Sequence, residues 1–183
     1  VDQLLPQIDK TLEYEQYLFP SESWLDTVVM IAGADASWAP THANGQINYG
    51  TTYYFNATNG IYSWTHLYPA SASDDAIIRT EIGNGVALAN YTAHGYSDGW
   101  GDPSFDKTDI PSMNNAHQYP LMIGNACSTN TFYESECFGE ALLRTPMKGA
   151  IGYIGGSNST YWDEDFYWGV GVRTTINANP VYD

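Results

Sequence analysis

The 183-residue chain is 43% hydrophobic, enough for one core of ordinary domain size, and no apolar run approaches the roughly 20 residues of a membrane span. Six basic against 21 acidic side chains give a formal charge of −15, which argues against nucleic-acid phosphates and anionic membranes as partners and favours cationic ones. With two cysteines, no Cys-x-x-Cys and no close His pair, neither a disulfide scaffold nor a zinc site is supported.

Few Lys, many Tyr, Trp, Asn and Gly, and scattered Asp suit a secreted or cell-surface bacterial protein. Its loops could hold structural calcium, although no Asp-x-Asp-x-Asp-Gly loop occurs and no metal ligands can be named. The start, Val1-Asp2-Gln3-Leu4, has neither an initiator methionine nor the pattern of a signal peptide, so a processed or excised piece is expected.

In chain order, apolar residues at 4, 5, 8, 12 and 18 predict a helix with one face toward a core, ending before Pro20. Leu25 to Ile31 reads as a buried strand opening into Ala32-Gly33-Ala34-Asp35. Ala39 to Gly50 is loop-like, and Thr51 to Asn56 reads as a strand. Ser73-Asp74-Asp75 is suited to cap a helix through Ile82. The apolar run from Gly85 to Ala93 then stops at His94-Gly95. Residues 98–115 have loop and short-helix character, after which the run from Tyr119 to Ala126 stops at Cys127. A helix over Glu136 to Thr145, a strand over Gly149 to Ile154, a loop through Asp165 and a helix from Asp165 to Arg173 complete the pattern. Strands alternating with helices predict an α/β fold with a mostly parallel sheet.

Short apolar runs bounded by turn signals read as buried parallel strands, and α/β proteins place their chemistry at the carboxyl ends of such strands. One strand therefore carries an imidazole, and another a thiol, to a common edge, as a cysteine nucleophile requires of its general base. The spacing of 33 positions (127 − 94) leaves room for one crossover between adjacent strands. Gly95 has no side chain to obstruct a substrate carbonyl, so its N–H and that of Cys127 could form an oxyanion site. Each residue has an ordinary structural explanation as well: Cys127 as a buried small hydrophobe, His94 as a hydrogen-bonded structural histidine, Asp35 and Asp165 as turn or helix caps. His42, His66 and His117 lack comparable context. The joint arrangement is what points to catalysis.

These segments resemble a known family. Ala89 to Gly95, Trp100-Gly101-Asp102-Pro103, Ile123 to Cys127, Cys137-Phe138-Gly139-Glu140 and Tyr161 to Asp165 look like the catalytic segments of the gingipains, and most nearly those of the lysine-cleaving members. The likeness extends through Ile31 to Asp35 and covers most of the chain. It implies a caspase-like fold and a secreted cysteine endopeptidase that needs no cofactor for its chemistry. It also implies His94 as general base, Cys127 as nucleophile, Asp35 as the acid that orients the histidine, and Asp165 as the acid that receives a P1 lysine. Thr92 and Asn125 would line that pocket and Trp162 would flank the lysine stem.

Ala126 and Asp163 depart from the lysine-cleaving pattern, which has Cys and Gly there. The family's amino-terminal subdomain and carboxyl-terminal stretches have no counterpart here. Residues 1–183 are therefore expected to be a caspase-like catalytic subdomain within a longer catalytic domain. Expected partners are protein or peptide substrates with P1 lysine and the rest of that domain. A catalytically inactive gingipain-like binding module and a calcium-dependent glycan-binding protein are the rival readings.

Overall fold

A computed structural model describes residues 3–171 and 174–182. Its centre is a five-stranded, wholly parallel sheet built from β1 (Thr27–Ala32), β2 (Tyr62–His66), β3 (Leu88–Thr92), β7 (Leu121–Asn125) and β8 (Gly152–Gly155). The spatial order is β2-β1-β3-β7-β8. The chain leaves β1 toward one sheet edge, returns, and lays down β3 on the other side of β1. This reversal opens a crevice at the carboxyl ends of the strands.

Alternation along β1 divides the core between the two sheet faces. Val28, Met30 and Ala32 pack with Ala43 and Ile47 of α2 (His42–Tyr53), whose neighbour on that side is α5 (Trp162–Val170). Val29 and Ile31 belong to the core on the other face, which also holds Ile78 and Ile82 of α3 (Asp75–Gly83) and Phe138 and Leu142 of α4 (Phe138–Arg144). The resulting three-layer arrangement is the caspase-like α/β architecture expected.

Three local expectations are corrected. Residues 39–56 form neither a loop nor a strand but chiefly α2, whose buried face consists of His42, Ala43, Gly45, Gln46, Ile47 and Gly50. The spacing is helical, but small and polar residues carry it, so hydropathy gives no sign of it. Residues 95–106 form a small antiparallel sheet, β4 (Gly95–Tyr96), β5 (Gly99–Trp100) and β6 (Phe105–Asp106), within the β3-to-β7 crossover. The first helix, α1 (Leu5–Glu15), leaves Leu5, Ile8 and Leu12 exposed. It buries Lys10 instead, whose Nζ donates to the carbonyls of Leu142 and Lys148 at 3.0 Å each. Desolvation lowers that ammonium's pKa to about 8.

Apart from the edge strand β2, for which no element was expected, the remaining helices and strands fall close to expectation. α3 begins at Asp75, but its acids turn outward to other partners: Asp75 accepts the Ser104 N–H and Asp74 meets His66. α5 ends at Val170, and Arg173, where that helix was expected to end, lies outside the described residues. No described helix is long and apolar enough to cross a membrane.

Candidate active site

Four neighbouring strands, β1, β3, β7 and β8, deliver their following loops to one sheet edge. Asp35 lies in the loop after β1, and the Gly33 and Ala34 N–H groups tie that loop to the carbonyls of Thr92 and Asp102. His94 lies two residues beyond β3. Its carbonyl accepts from the Tyr91 hydroxyl at 2.7 Å and from the Gly101 N–H at 2.9 Å, which fixes the corner from both sides. Cys127 lies two residues beyond β7. Because Thr92 is registered with Asn125, His94 and Cys127 are carried to equivalent heights on adjacent strands about 4.8 Å apart.

The His94 ring is half-exposed, and its Nε2 meets Asp35 Oδ2 at 2.9 Å. Asp35 Oδ1 accepts the N–H groups of Ser37 and Trp38 at 2.8 and 2.9 Å, so both carboxylate oxygens are held. Burial works to raise the pKa of this carboxyl, but the His94 bond and the two backbone bonds together prevail and hold it below its ordinary value. A carboxylate facing Nε2 keeps the proton on that nitrogen, which leaves Nδ1 as the basic atom of the neutral ring. Trp162 stands edge-on to the same ring, with centroids 5.5 Å apart.

Cys127 is partly exposed and faces Thr160, whose N–H points at Sγ at 3.3 Å. Sγ also lies 3.6 Å from the Thr160 carbonyl oxygen. No hydrogen bond joins Sγ to His94, although catalytic contacts often tighten only once substrate is present. The Cys127 N–H has no acceptor among the described residues. Gly95 lies directly beneath: a Cβ there would sit 2.8 Å from Ala126 Cβ and 2.9 Å from the Cys127 carbonyl oxygen. Only glycine allows that approach. Cys137, by contrast, is fully buried at the start of α4, and burial pushes its thiol pKa up.

Beside Cys127 lies a cleft of about 360 Å³ whose walls include Asn125, Gly155, Thr160, Tyr161, Asp165 and Trp168. Asp165 Oδ2 accepts from the Thr160 hydroxyl at 2.8 Å. Desolvation raises the Asp165 pKa; the Thr160 bond opposes the shift and the Glu164 charge adds to it. Thr160 thus touches both the thiol and the cleft's acid.

Of the residues expected to line this pocket, Asn125 and Asp165 do so. Thr92 is completely buried behind the wall, and Trp162 faces a neighbouring cleft shared with Trp38 and Asp163. Asp163 pairs with His42 Nε2 at 3.0 Å, away from the cleft containing Asp165. Sequence reasoning passed over Thr160, Gln46 and Trp168. The last carried a signal, since position 168 shares a helical face with Asp165 at i, i+3.

The sequence profile of peptidase family C25 matches residues 1–179. The chain belongs to that family. Over its whole length it is 39% identical to Lys-gingipain HG66 of Porphyromonas gingivalis, and over 81% of its length it is 31% identical to gingipain R2 of the same organism. It spans only about a tenth and a fifth of those two proteins. A solved protease structure superposes on 97% of the chain with a TM-score of 0.88 and 38% identity, the chain covering 38% of it. The crystal structure of the Arg-specific cysteine proteinase gingipain R superposes on 92% of the chain, with a TM-score of 0.74 and 26% identity, and is covered to 40%. The family expectation drawn from the sequence motifs is therefore borne out.

Among the described residues, no group of three or more His, Cys, Asp or Glu side chains converges as a metal site.

Proposed function

We propose that this chain forms the catalytic part of a secreted cysteine endopeptidase that cleaves after lysine. The observation that carries this reading is a thiol, Cys127, joined through Thr160 to a partly buried carboxylate, Asp165, in an adjoining cleft. His94 Nδ1 accepts the Cys127 proton while Asp35 holds Nε2. The thiolate attacks the scissile carbonyl carbon, and the oxygen takes up the negative charge beside the N–H groups of Cys127 and Gly95. As the tetrahedral species collapses, the C–N bond breaks and the His94 imidazolium protonates the departing amine. Water, deprotonated by His94, then attacks the thioester and releases the acid and the Cys127 thiol.

A lysine ammonium entering the cleft loses hydration and needs an anionic partner, which Asp165 supplies. Its charge also offsets the cost of holding Asp165 ionised in a desolvated position. One Asp165 oxygen is already engaged by Thr160, so a compact ammonium suits the remaining oxygen better than a guanidinium fork that seeks two. Tyr161 and Trp168 offer apolar surface to the methylene stem.

Peptides differing only in P1 lysine, arginine or leucine test this reading on the intact protein. Lysyl peptides should be cleaved preferentially, and Asp165→Asn should lower their kcat/KM at least tenfold, since removing a desolvated charged contact costs on the order of 2–5 kcal/mol. Asp163→Asn should have little effect. Equal cleavage after all three residues would sink the lysine preference while leaving the peptidase in place, and failure to cleave any of them after full thiol reduction would remove both.

A further inference from the structure

One wall of the cleft is held from behind by a buried side chain. Gln46, on α2 and 6% exposed, donates through Nε2 to Thr92 Oγ1 at 2.9 Å and accepts the Asn125 Nδ2–H at Oε1, also at 2.9 Å. Asn125 Nδ2 donates again, to the Asp165 carbonyl oxygen, at 2.9 Å. The chain Thr92–Gln46–Asn125–Asp165 therefore ties together α2, β3, β7 and α5, and α5 closes over it. A Cβ at Gly169 would lie 2.5 Å from Gln46 Oε1.

One atom sets the polarity of this chain. A backbone carbonyl can only accept, so the Asp165 oxygen obliges Asn125 to turn its NH₂ inward. The second hydrogen of that NH₂ goes to Gln46 Oε1, and the Gln46 NH₂ must then face Thr92. With both amide hydrogens spent, the sole polar atom left on the Asn125 side chain is Oδ1, and Asn125 lines the cleft that contains Asp165. The wall consequently presents hydrogen-bond acceptors.

We propose that Gln46 is a positioning residue that locks the Asn125 amide with its oxygen available to the cleft, so that the pocket is built for the donors of an ammonium group. The proposal rests on the lysine reading above and extends it to a residue that touches no substrate. Without Gln46 the Asn125 amide is held by one hydrogen instead of two. It can then turn a donor toward the cleft, where a donor repels an ammonium.

Gln46→Met and Gln46→Glu in the intact protein separate this from a purely structural role. Methionine keeps the length but removes both bonds; glutamate keeps an oxygen for Asn125 and accepts from the Thr92 hydroxyl. Gln46→Met should raise KM for a lysyl peptide about tenfold, with a smaller change in kcat, and lower the lysyl-to-arginyl ratio of kcat/KM, since tenfold corresponds to about 1.4 kcal/mol. Gln46→Glu should restore the ratio, and the rate of Cys127 alkylation should be unchanged in both. If the methionine variant does not fold, the isosteric Thr92→Val loosens the far end of the same chain and should shift the ratio in the same direction. An unaltered ratio in whichever variant folds, in a parent that prefers lysine, overturns the role of Gln46 alone. A parent without that preference overturns the lysine reading and this proposal with it.

Discussion

His66 and His94 both stand at the carboxyl end of a strand, both meet carboxylates, and their surroundings suit them to different work. His66, the last residue of β2, is buried with Nδ1 at 2.8 Å from Asp74 and Nε2 at 2.7 Å from Glu81, so both ring nitrogens are consumed. His94 spends only Nε2, on Asp35, and half of its side chain stays open. The two cysteines divide in the same way: Cys137 is sealed at the head of α4, while Cys127 rests in an open loop under the Thr160 N–H. A carboxylate beside a histidine is therefore no sign of catalysis in this molecule, because His42 and His117 have one too. His117 precedes β7 and so lies at the opposite end of that strand from Cys127. What sets the proposed catalytic pair apart is a ring nitrogen and a partly exposed thiol at the same sheet edge.

The largest effect should come from the cysteines. Cys127→Ala is expected to reduce peptide turnover to background, whereas Cys137→Ala should keep kcat within about twofold and cost about 1 kcal/mol of stability by weakening the head of α4. Iodoacetamide labelling confined to Cys137, with an active Cys127 variant, would reverse the comparison.

The histidines should separate next. His94→Ala should lose about 10²–10⁴-fold in kcat, the usual contribution of a general base. His66→Ala should retain its rate but unfold more readily, by about 1–3 kcal/mol, because two carboxylates lose their donor. Urea unfolding paired with peptide assays would show whether activity and stability divide along these lines.

Lys10 gives the smallest and most specific effect. Its folded pKa, about 8, lies below the ordinary value of 10.5, so between those values the unfolded chain binds more protons than the folded one. Stability should therefore rise with pH from about 8 toward 10, by at most on the order of 3 kcal/mol. Lys10→Met should flatten that rise in unfolding curves recorded across the window, and an identical slope in both proteins would discount the buried ammonium.

Four of the five central strands were legible because β1, β3, β7 and β8 are largely apolar runs bounded by turns, which is how strands covered on both faces must read, whereas the polar edge strand β2 was not. The placement of His94 and Cys127 at one sheet edge was legible for the same reason, since each ends such a run. The α2 helix was not. Its buried positions are filled by His42, Gly45, Gln46 and Gly50, chosen for close packing beneath α5 and for hydrogen bonding, and Gly and Asn are poor helix formers in isolation. Gln46 was hidden along with its helix. The roles expected of Thr92 and Trp162 at the pocket wall came from motif likeness, which does not encode which way a side chain faces. Thr92 turns into the core, and Trp162 stands against His94.

The register of β3 with β7 has a consequence for heredity. His94 and Cys127 are each the second residue past a registered pair, Thr92 and Asn125, so the ladder sets their separation and the crossover's length does not. A length change within the exposed part of that crossover leaves the pair in place, while loss of a single residue inside either strand turns every later side chain of that strand to the opposite face. Natural length polymorphism is thus compatible with the exposed part of the long connection and incompatible with two five-residue strands.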